Sequence, residues 1–195
     1  MHLDMFGNVR YKVGLHTHTT LSDGHESPEG AARIYKAAGY DAIALTDHWV
    51  YGPGGEADGM TVLSGCEYNV FGIDEWTGVT ETYHIVGVGM TRDPEIPEDY
   101  LSNHDGRIRD RVRDMVDRIR KAGGLAILAH PAWSLNTSEQ ILGCADFDAT
   151  EIYNSVSATH KFNRPDSSLI VDMLGAQGIY FPLVAADDTH EYDYD

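Results

Sequence analysis

The sequence predicts an α/β fold with a mainly parallel sheet, open or closed into a barrel. Short runs such as AIAL, LAIL and FPLVA are nearly all apolar, which is typical of strands buried on both faces of a parallel sheet. Longer stretches with helical periodicity separate several of these runs, and such alternation favours strand–helix–strand units. The chain has 195 residues, the size of one domain, so we expect residues 1–195 to fold as a single unit.

Seven strands are expected along the chain, each centred on a short apolar run. The second and third are separated by the Gly- and Pro-rich segment YGPGGEADG at 51–59, which predicts a mobile loop. The candidate strands cover residues 11–15, 41–45, 61–65, 83–88, 125–129, 149–153 and 180–185.

Three helices are expected between these strands. The first begins after Ser27, a predicted N-cap with Pro28 at the first helical position, and it ends at Gly39. The clearest helix covers residues 105–121, where the apolar residues fall on a single stripe. A further helix is expected over residues 166–176.

The composition excludes several classes of protein. With 14 Lys and Arg against 31 Asp and Glu, the net charge is −17, whereas proteins that coat nucleic acid or bind anionic lipid need a basic surface. Two cysteines, Cys66 and Cys144, are too few for a disulfide framework. No apolar run reaches the length of a membrane span, and the N-terminus lacks the apolar core of a signal peptide. We therefore expect a cytoplasmic protein with no membrane partner.

Ten histidines are present, and several follow directly after a candidate strand. In parallel α/β folds, active-site groups gather at the C-terminal ends of the strands. Glu67 follows the third candidate strand and Asp188 follows the seventh, whereas His84 departs from the pattern because it lies at the start of the fourth. The histidines that follow strands are His16, His18, His48, His130 and His190.

These residue types predict a metal site. His16 and His18 are two residues apart, which on an extended chain places both imidazoles on one face. Chance is an alternative for that pair alone, but five strand ends that each supply a His or a carboxylate are hard to reach by chance. Imidazole with carboxylate suits Zn, Mn or Fe, and no paired Cys motif indicates a structural zinc finger. The residues alone predict a multinuclear metal site.

Six motifs occur in the order expected of the polymerase and histidinol phosphatase (PHP) superfamily, which the chain resembles from residue 15 to residue 190. They are LHTHTTLSDG (15–24), ALTDHW (44–49), GCE (65–67), YHIVGVG (83–89), AHPAW (129–133) and DDTH (187–190). EIYN at 151–154 also resembles the segment before the last motif in the small phosphoesterases of this family.

The resemblance implies a distorted (β/α)7 barrel of TIM-like type that holds two to three divalent ions, Mn, Fe or Zn. By the same resemblance Glu67 would bridge two of the metals, and Asp23 would be a ligand in preference to His25. The implied ligands are His16, His18, Glu67 and Asp188 for the first metal, His84 and His130 with Glu67 for the second, and Asp23, His48 and His190 for the third.

The function implied by the resemblance is a metal-dependent phosphoesterase in which a hydroxide that bridges the metals attacks phosphorus in line. The expected substrate is a small phosphate ester, nucleotide-like or sugar-phosphate-like, with monoester and diester both open. No long nucleic acid is expected as a partner, a homo-oligomer is left open, and no general acid is assigned. The residues expected to act in catalysis are His16, His18, Glu67, Asp188 and His190.

Contacts with the substrate are expected from the loop after EIYN. Arg164 is the candidate phosphate anchor, with a plain surface role as the alternative, and Asn154 is a second candidate contact. Asp47 and Asp187 adjoin ligands and would either orient imidazoles or stabilise turns. Several aromatic residues near the motifs would either stack on a base or sugar or simply wall a pocket. They are Trp49, Tyr51, Tyr68, Trp76 and Trp133.

Two other functions compete with this interpretation. Metal-dependent amidohydrolases also place a His-X-His pair after their first strand, but a bridging Lys would be expected where Glu67 occupies the bridging role. A non-catalytic, metal-bound regulatory domain is the other alternative, although every expected type of ligand is present. One departure from the family is at the C-terminus. The chain stops five residues after His190, whereas a helix that covers the last strand is expected there. We therefore expect an incomplete barrel at that end, closed by another subunit or left by a shortened chain.

Overall fold

The strands lie in two larger sheets and one small hairpin. A computed structural model describes residues 2–74, 78–102, 107–144, 146–159 and 162–192. Its strands are β1 (His2–Leu3), β2 (Val9–Arg10), β3 (Val13–Gly14), β4 (Ala42–Ala44), β5 (Gly55–Ala57), β6 (Met60–Leu63), β7 (Gly65–Ile73), β8 (Thr80–Val88), β9 (Leu125–Leu128), β10 (Ala149–Asn154) and β11 (Leu183–Ala186). Its helices are α1 (Pro28–Ala37), α2 (Asp99–Ser102), α3 (Ile108–Lys121), α4 (Ser138–Leu142) and α5 (Ser168–Gly175), with a 3-10 turn at Val156–Ala158.

The first sheet has four strands in the order β3–β4–β6–β5, with β3, β4 and β6 parallel. Helix α1 covers it and begins where the sequence predicts, because the Ser27 hydroxyl accepts a hydrogen bond from the Gly30 backbone N–H at 3.1 Å. The buried face of α1 consists of Ala31, Ala32 and Tyr35. This sheet is the parallel α/β arrangement that the alternating pattern indicates.

The segment predicted as a mobile loop contains a strand. β5 pairs antiparallel with β6 through a two-residue turn at Asp58 and Gly59, both of which have positive φ, 49° and 71°. Two consecutive positive φ values are what a tight hairpin turn needs, and an Asp-Gly pair supplies them at low cost. The Asp-Gly dipeptide was therefore the available signal for a hairpin within residues 51–59.

The second sheet has five strands in the order β11–β10–β9–β8–β7 and is mixed. β9, β10 and β11 are parallel, but β8 runs antiparallel to both of its neighbours. Only the short segment 74–79 connects β7 to β8, and a parallel pair needs a crossover of a dozen residues or more. The expected mainly parallel sheet is therefore only partly observed, and the fold is a mixed α/β fold.

The two sheets meet at two seams, each marked by an isolated parallel bridge. Thr17 pairs with Thr189 at one seam, and His48 pairs with Glu67 at the other. The described strands form two separate ladders rather than one continuous ring, so the expected closed (β/α)7 barrel is not confirmed. Residues 193–195 lie outside the described residues, and the expectation of an incomplete C-terminal end stays a prediction.

Helix α3 carries the predicted apolar stripe on its buried face and packs against β7, β8 and β9. The helix ends at Lys121 as expected, whereas the predicted start at residue 105 lies outside the described residues. Helix α5 falls within the predicted range 166–176. Within the described ranges, no helix combines the length and apolarity needed to cross a membrane. The stripe of α3 consists of Ile108, Val112, Met115, Val116 and Ile119, each less than 2% exposed.

Candidate metal centre

The nine predicted metal ligands come together where the two sheets meet. They form three groups, and within each group one ligand atom per residue lies within 4.8 Å of the others. Glu67 belongs to two groups and His18 to two, so the groups adjoin one another. The groups are His16, His18, Glu67 and Asp188; Glu67, His84 and His130; and His18, Asp23, His48 and His190.

The first group is buried and has the donor set of a metal site. His16 Nε2 lies 3.1 Å from Glu67 Oε2 and 3.2 Å from Asp188 Oδ1. His18 Nε2 lies 3.0 Å and 3.2 Å from the same two oxygens. Both nitrogens and Asp188 Oδ1 are buried without a hydrogen-bond partner among the described residues. Unpaired buried polar atoms are costly, so three that converge on one point beside a Glu67 oxygen fit a divalent cation.

The second group shares Glu67 with the first. Its other oxygen, Oε1, lies 2.7 Å from His84 Nδ1 and 3.4 Å from His130 Nε2. The two oxygens of one carboxylate thus face two different pairs of imidazoles. This is the arrangement that a carboxylate bridging two metal ions needs.

The third group is more open than the other two. Asp23 is 56% exposed, and its carboxylate lies 3.5 Å from His190 Nε2 and 3.8 Å from His48 Nε2. His18 reaches the same carboxylate with its Nδ1, at 3.5 Å. His25, the rejected alternative, is exposed and belongs to none of the three groups. An exposed carboxylate beside half-buried imidazoles marks this group as the side open to solvent.

The reversed direction of β8 explains why His84 departs from the sequence pattern. His84 lies in the middle of β8, beside the end of β9, and its carbonyl accepts a hydrogen bond from the Ala129 N–H at 3.0 Å. Because β8 is antiparallel, its residues at this level approach the edge where the parallel strands end. A side chain in the middle of β8 therefore joins side chains that follow the other strands.

Unusual backbone conformations accompany the ligands. His130, Asp188 and Trp49, the neighbour of His48, have positive φ values of 27°, 53° and 57°. Non-glycine residues rarely adopt positive φ, and such conformations cluster at functional sites, where the surrounding structure holds them in place. The local strain is consistent with side chains that are aimed at a common point.

Within the first group, interactions between opposite charges outweigh the effect of burial on the pKa values. Burial alone would lower the pKa of His16, but the Asp188 and Glu67 carboxylates outweigh it and raise that pKa well above its ordinary value. The pKa of His18 is raised to about 9, because its contacts with the same carboxylates outweigh burial. Burial would raise the pKa of Glu67 and of Asp188, yet the imidazoles outweigh it and lower both. Both carboxylates are therefore negative at neutral pH.

The imidazoles nearer the opening behave differently. Burial lowers the pKa of His48 and of His84, and the attraction of the Glu67 carboxylate does not compensate for it. These two rings are neutral at neutral pH. A neutral imidazole is the form that binds a metal ion, so no proton has to leave these rings first.

A cavity of about 330 Å³ opens over the three groups. Ligand side chains line it together with an apolar wall of Trp133, Val156 and Phe162. Trp133 packs edge to face beside His84 and His130, with ring centroids 5.4 Å and 5.0 Å away. The rings of Trp133 and Phe162 pack edge to face with their centroids 5.5 Å apart. Trp49, by contrast, packs on Tyr68 with its indole N–H bonded to Asn69, so it supports the fold near the site.

The two predicted substrate contacts do not line this cavity. Asn154 is fully buried, and its amide donates to Glu151 and Asp188, which places it behind the ligands. Arg164 donates from its backbone N–H to the Ser157 carbonyl at 2.9 Å, and its Nε is buried without a partner among the described residues. Trp76, one of the aromatic candidates, lies outside the described residues.

A carboxylate that the sequence analysis left out of the site lies behind the first group. Glu151 is 1% exposed, and its Oε1 lies 2.7 Å from His16 Nδ1. Asp47 instead accepts hydrogen bonds from Thr19, and Asp187 accepts from two tyrosine hydroxyls. The hydrogen bonds of these two carboxylates therefore support the surrounding fold. An acid inside the apolar strand around EIYN was the available signal, since Glu is rarely fully buried unless paired.

Comparisons with known proteins agree on the fold. No protein-family model and no curated protein matches the chain. Among solved structures, an amidohydrolase from Chromobacterium violaceum with bound sulfate and no metal matches with a TM-score of 0.63 and 18% identity over 92% of this chain and 88% of its own. A candidate metal-dependent phosphoesterase from Bifidobacterium adolescentis matches with a TM-score of 0.58 and 14% identity over 92% and 88%. A two-domain protein from Bacteroides vulgatus containing a predicted PHP-like metal-dependent phosphoesterase matches with a TM-score of 0.55 and 17% identity over 93% and 52%.

Fold and site together define a mixed α/β protein with a buried cluster of imidazoles and carboxylates of the metal-binding kind. Solved structures that share its fold include PHP-like metal-dependent phosphoesterases. The resemblance seen in the motifs is thereby confirmed at the level of the fold.

Proposed function

We propose that the protein is a metal-dependent hydrolase that cleaves small phosphate esters. The observation that carries the proposal is the set of three adjoining ligand groups, joined by Glu67 and His18, at the floor of a cavity. The solved structures described as metal-dependent phosphoesterases support it through their shared fold. The proposal covers residues 1–195 as one catalytic domain.

We propose two to three divalent ions, Mn, Fe or Zn, as the cofactors. Imidazole nitrogens with carboxylate oxygens suit these ions better than Mg or Ca, which prefer all-oxygen sites. When bound, such ions supply Lewis acidity to a phosphoryl oxygen and lower the pKa of a water molecule so that it can act as a nucleophile at neutral pH. His16, His18, Glu67 and Asp188 would hold one ion, and the two other groups would hold the rest.

The chain's own residues would bind and orient the substrate. Asp23, His48 and His190 lie at the open side, where a phosphate would enter. Trp133 and Phe162 line the cavity beside the ligands, where they would exclude water and hold a flat or apolar part of the alcohol half.

A small substrate suits the dimensions and charge of the site. The cavity of about 330 Å³ is at the lower end of the range for small-molecule sites. The net charge of −17 opposes binding of long nucleic acids to the outer surface. We therefore propose a nucleotide-like or sugar-phosphate-like ester as the substrate.

A hydrolysis screen tests the proposal. Metal-stripped protein, reloaded separately with Mn, Fe or Zn, is incubated with p-nitrophenyl phosphate, its bis-ester, a 3′,5′-bisphosphate and an N-acyl compound. We expect release of phosphate or alcohol from at least one phosphate ester, only with metal. Cleavage of the N-acyl compound alone would replace the proposal with an amidohydrolase activity, which the name of one solved neighbour makes the second candidate. No cleavage with any metal would favour a non-catalytic metal-bound domain.

A further inference from the structure

Glu151 uses both of its carboxylate oxygens behind the first ligand group. Oε1 lies 2.7 Å from His16 Nδ1, and Oε2 accepts a hydrogen bond from the His130 backbone N–H at 2.9 Å. The residue thus contacts one imidazole ligand through its ring and another through its main chain. Glu151 lies on β10, whereas His16 follows β3 and His130 follows β9, so this one side chain connects three strands.

Asn154 extends this contact to a fourth strand. Its amide donates to Glu151 Oε2 at 2.8 Å and to Asp188 Oδ2 at 3.2 Å. Its carbonyl oxygen accepts from the backbone N–H and the hydroxyl of Ser157, which lines the cavity. One oxygen of Asp188 is therefore held from behind, while Oδ1 faces the imidazoles without a partner among the described residues.

An irregularity in β10 makes this pair possible. Residues three apart on a regular strand face opposite sides of the sheet. The pairing of β10 with β11 shifts register between Glu151 and Tyr153, so that Ile152 is an extra residue on β10. The shift brings Asn154 to the side of Glu151 and turns Tyr153 outward, where it is 42% exposed.

We infer that Glu151 and Asn154 are a pair of positioning residues for the candidate metal centre, placed side by side by the irregularity in β10. This inference rests on the proposed metal-dependent function and deepens it. A carboxylate beside His16 Nδ1 keeps the ring proton on that nitrogen, which leaves Nε2 free as a ligand. Asn154 fixes the rotation of the Asp188 carboxylate so that Oδ1 faces the same point.

Glu151→Gln is the informative variant, because a carboxamide cannot satisfy all three neighbours. If its oxygen faces the His130 and Asn154 donors, its NH₂ group faces His16 Nδ1. Nδ1 must then be an acceptor, and the ring proton moves to Nε2. If the amide is reversed, NH₂ faces two other donors and those bonds are lost. In either orientation the first group is a poorer ligand set.

Zinc affinity of the metal-stripped protein, measured near neutral pH by competition with a chromophoric chelator, tests the inference. We expect Glu151→Gln to weaken zinc binding about 10- to 100-fold. Asn154→Ala should weaken it in the same direction. Glu81→Gln is the matched control, since Glu81 is equally buried and bonded to Tyr83 and Arg109, away from the ligands. It should leave zinc affinity within about twofold of the parent value.

Equal zinc affinity in parent and Glu151→Gln, or an equal loss in Glu81→Gln, would overturn the inference in favour of a general packing role. If Glu151→Gln does not fold, a measurement on the parent protein tests the inference instead. In ¹⁵N-labelled, zinc-loaded parent protein, NMR should show His16 protonated on Nδ1, and a His16 bound to zinc through Nδ1 would refute the inference. Neither measurement uses turnover, so failure of the hydrolysis screen alone would leave this inference standing.

Discussion

At the scale of single residues, His16 has the most demanding position in the candidate centre. It is 1% exposed, and its two ring nitrogens contact carboxylates on opposite sides, Glu151 at one and Glu67 with Asp188 at the other. A side chain fixed at both ends leaves little freedom for its ligand nitrogen. We therefore expect a change at His16 to weaken metal binding.

His16→Ala should abolish metal-dependent hydrolysis. Metal-assisted activation is worth several kcal/mol, so we expect kcat/KM to fall by about a thousandfold or more. The measurement is the initial rate on the best ester of the screen at saturating metal. His25→Ala is the matched control, because His25 is exposed and outside the three groups, and its rate should stay within about twofold. An unchanged rate in His16→Ala would place the active site elsewhere.

Both cysteines should be slow to react in the folded protein. Cys66 and Cys144 are free and buried, and burial raises the pKa of each thiol to about 12. The thiolate is the reactive form, so it is scarce at pH values well below 12 and increases only as the pH approaches that value. Ellman's reagent near pH 8 should detect two thiols per chain promptly after unfolding in urea and only slowly before it. Prompt reaction of a thiol in the native protein would contradict this burial.

Most of the ligands could be predicted from the sequence because metal chemistry restricts them to a few residue types at strand ends. The roles of His84 and Asp23 came from the resemblance to the PHP superfamily instead. Glu151 and Asn154 could not be predicted as a pair, because strand periodicity places them on opposite faces. Only the register shift in β10 brings them together, and no residue type in EIYN signals it. The wall residue Phe162 was missed as well, although it lies in the loop after EIYN, because only Arg164 was considered as a substrate contact in that loop.

At the scale of elements, β8 shows how a reversed strand still contributes a ligand. Its nine residues pair along the whole of β7 and along β9, which makes it the best-connected strand of the second sheet. Gly87 on β8 lies under α3, where an added Cβ would lie 3.2 Å from Ile119 Cδ1. Helix and strand are therefore in close contact on the face away from the ligands. The sequence predicts that a strand exists here, but strand direction depends on the connection, which composition does not reveal.

Ile119→Ala should destabilise the protein without affecting the metal centre. Ile119 is fully buried between α3 and the second sheet, and such a truncation leaves a cavity that costs about 2–4 kcal/mol of unfolding free energy. Urea unfolding followed by circular dichroism measures the loss. Arg113→Ala, on the exposed face of the same helix, is the control and should cost under about 1 kcal/mol. A loss under about 0.5 kcal/mol for Ile119→Ala would mean that α3 does not pack as described.

At the scale of the whole molecule, the metal centre lies across the boundary between the two sheets. His16 and His18 extend from the first sheet, whereas Glu67 and Asp188 belong to or follow strands of the second. A bound ion would therefore connect parts of the chain that the backbone ladders leave joined by isolated bridges. The sequence predicts an α/β fold of this kind. Whether the two ladders close into one ring depends on strand pairing at the two seams, and hydrophobic patterns do not predict such individual pairings.

Metal binding should stabilise the folded protein as well as support hydrolysis. An ion that binds only the folded chain, present at about 100 times its Kd, adds about 2.7 kcal/mol, or roughly 5–10 °C in Tm for a chain of this size. Differential scanning fluorimetry of stripped and zinc-loaded protein measures the shift. The same titration on His16→Ala should give a clearly smaller shift. An equal Tm with and without metal in the parent protein would contradict a centre that spans the boundary.

The same two seams are where we expect the folded chain to open locally, because only isolated bridges join the sheets there. His18 and Asp188 each take part in a backbone hydrogen bond across the first seam, to Thr189 and His16 respectively. Opening that seam separates ligands that one ion would hold together. A bound ion would therefore slow the exchange of the seam amides with deuterated water, because that exchange needs the seam to open.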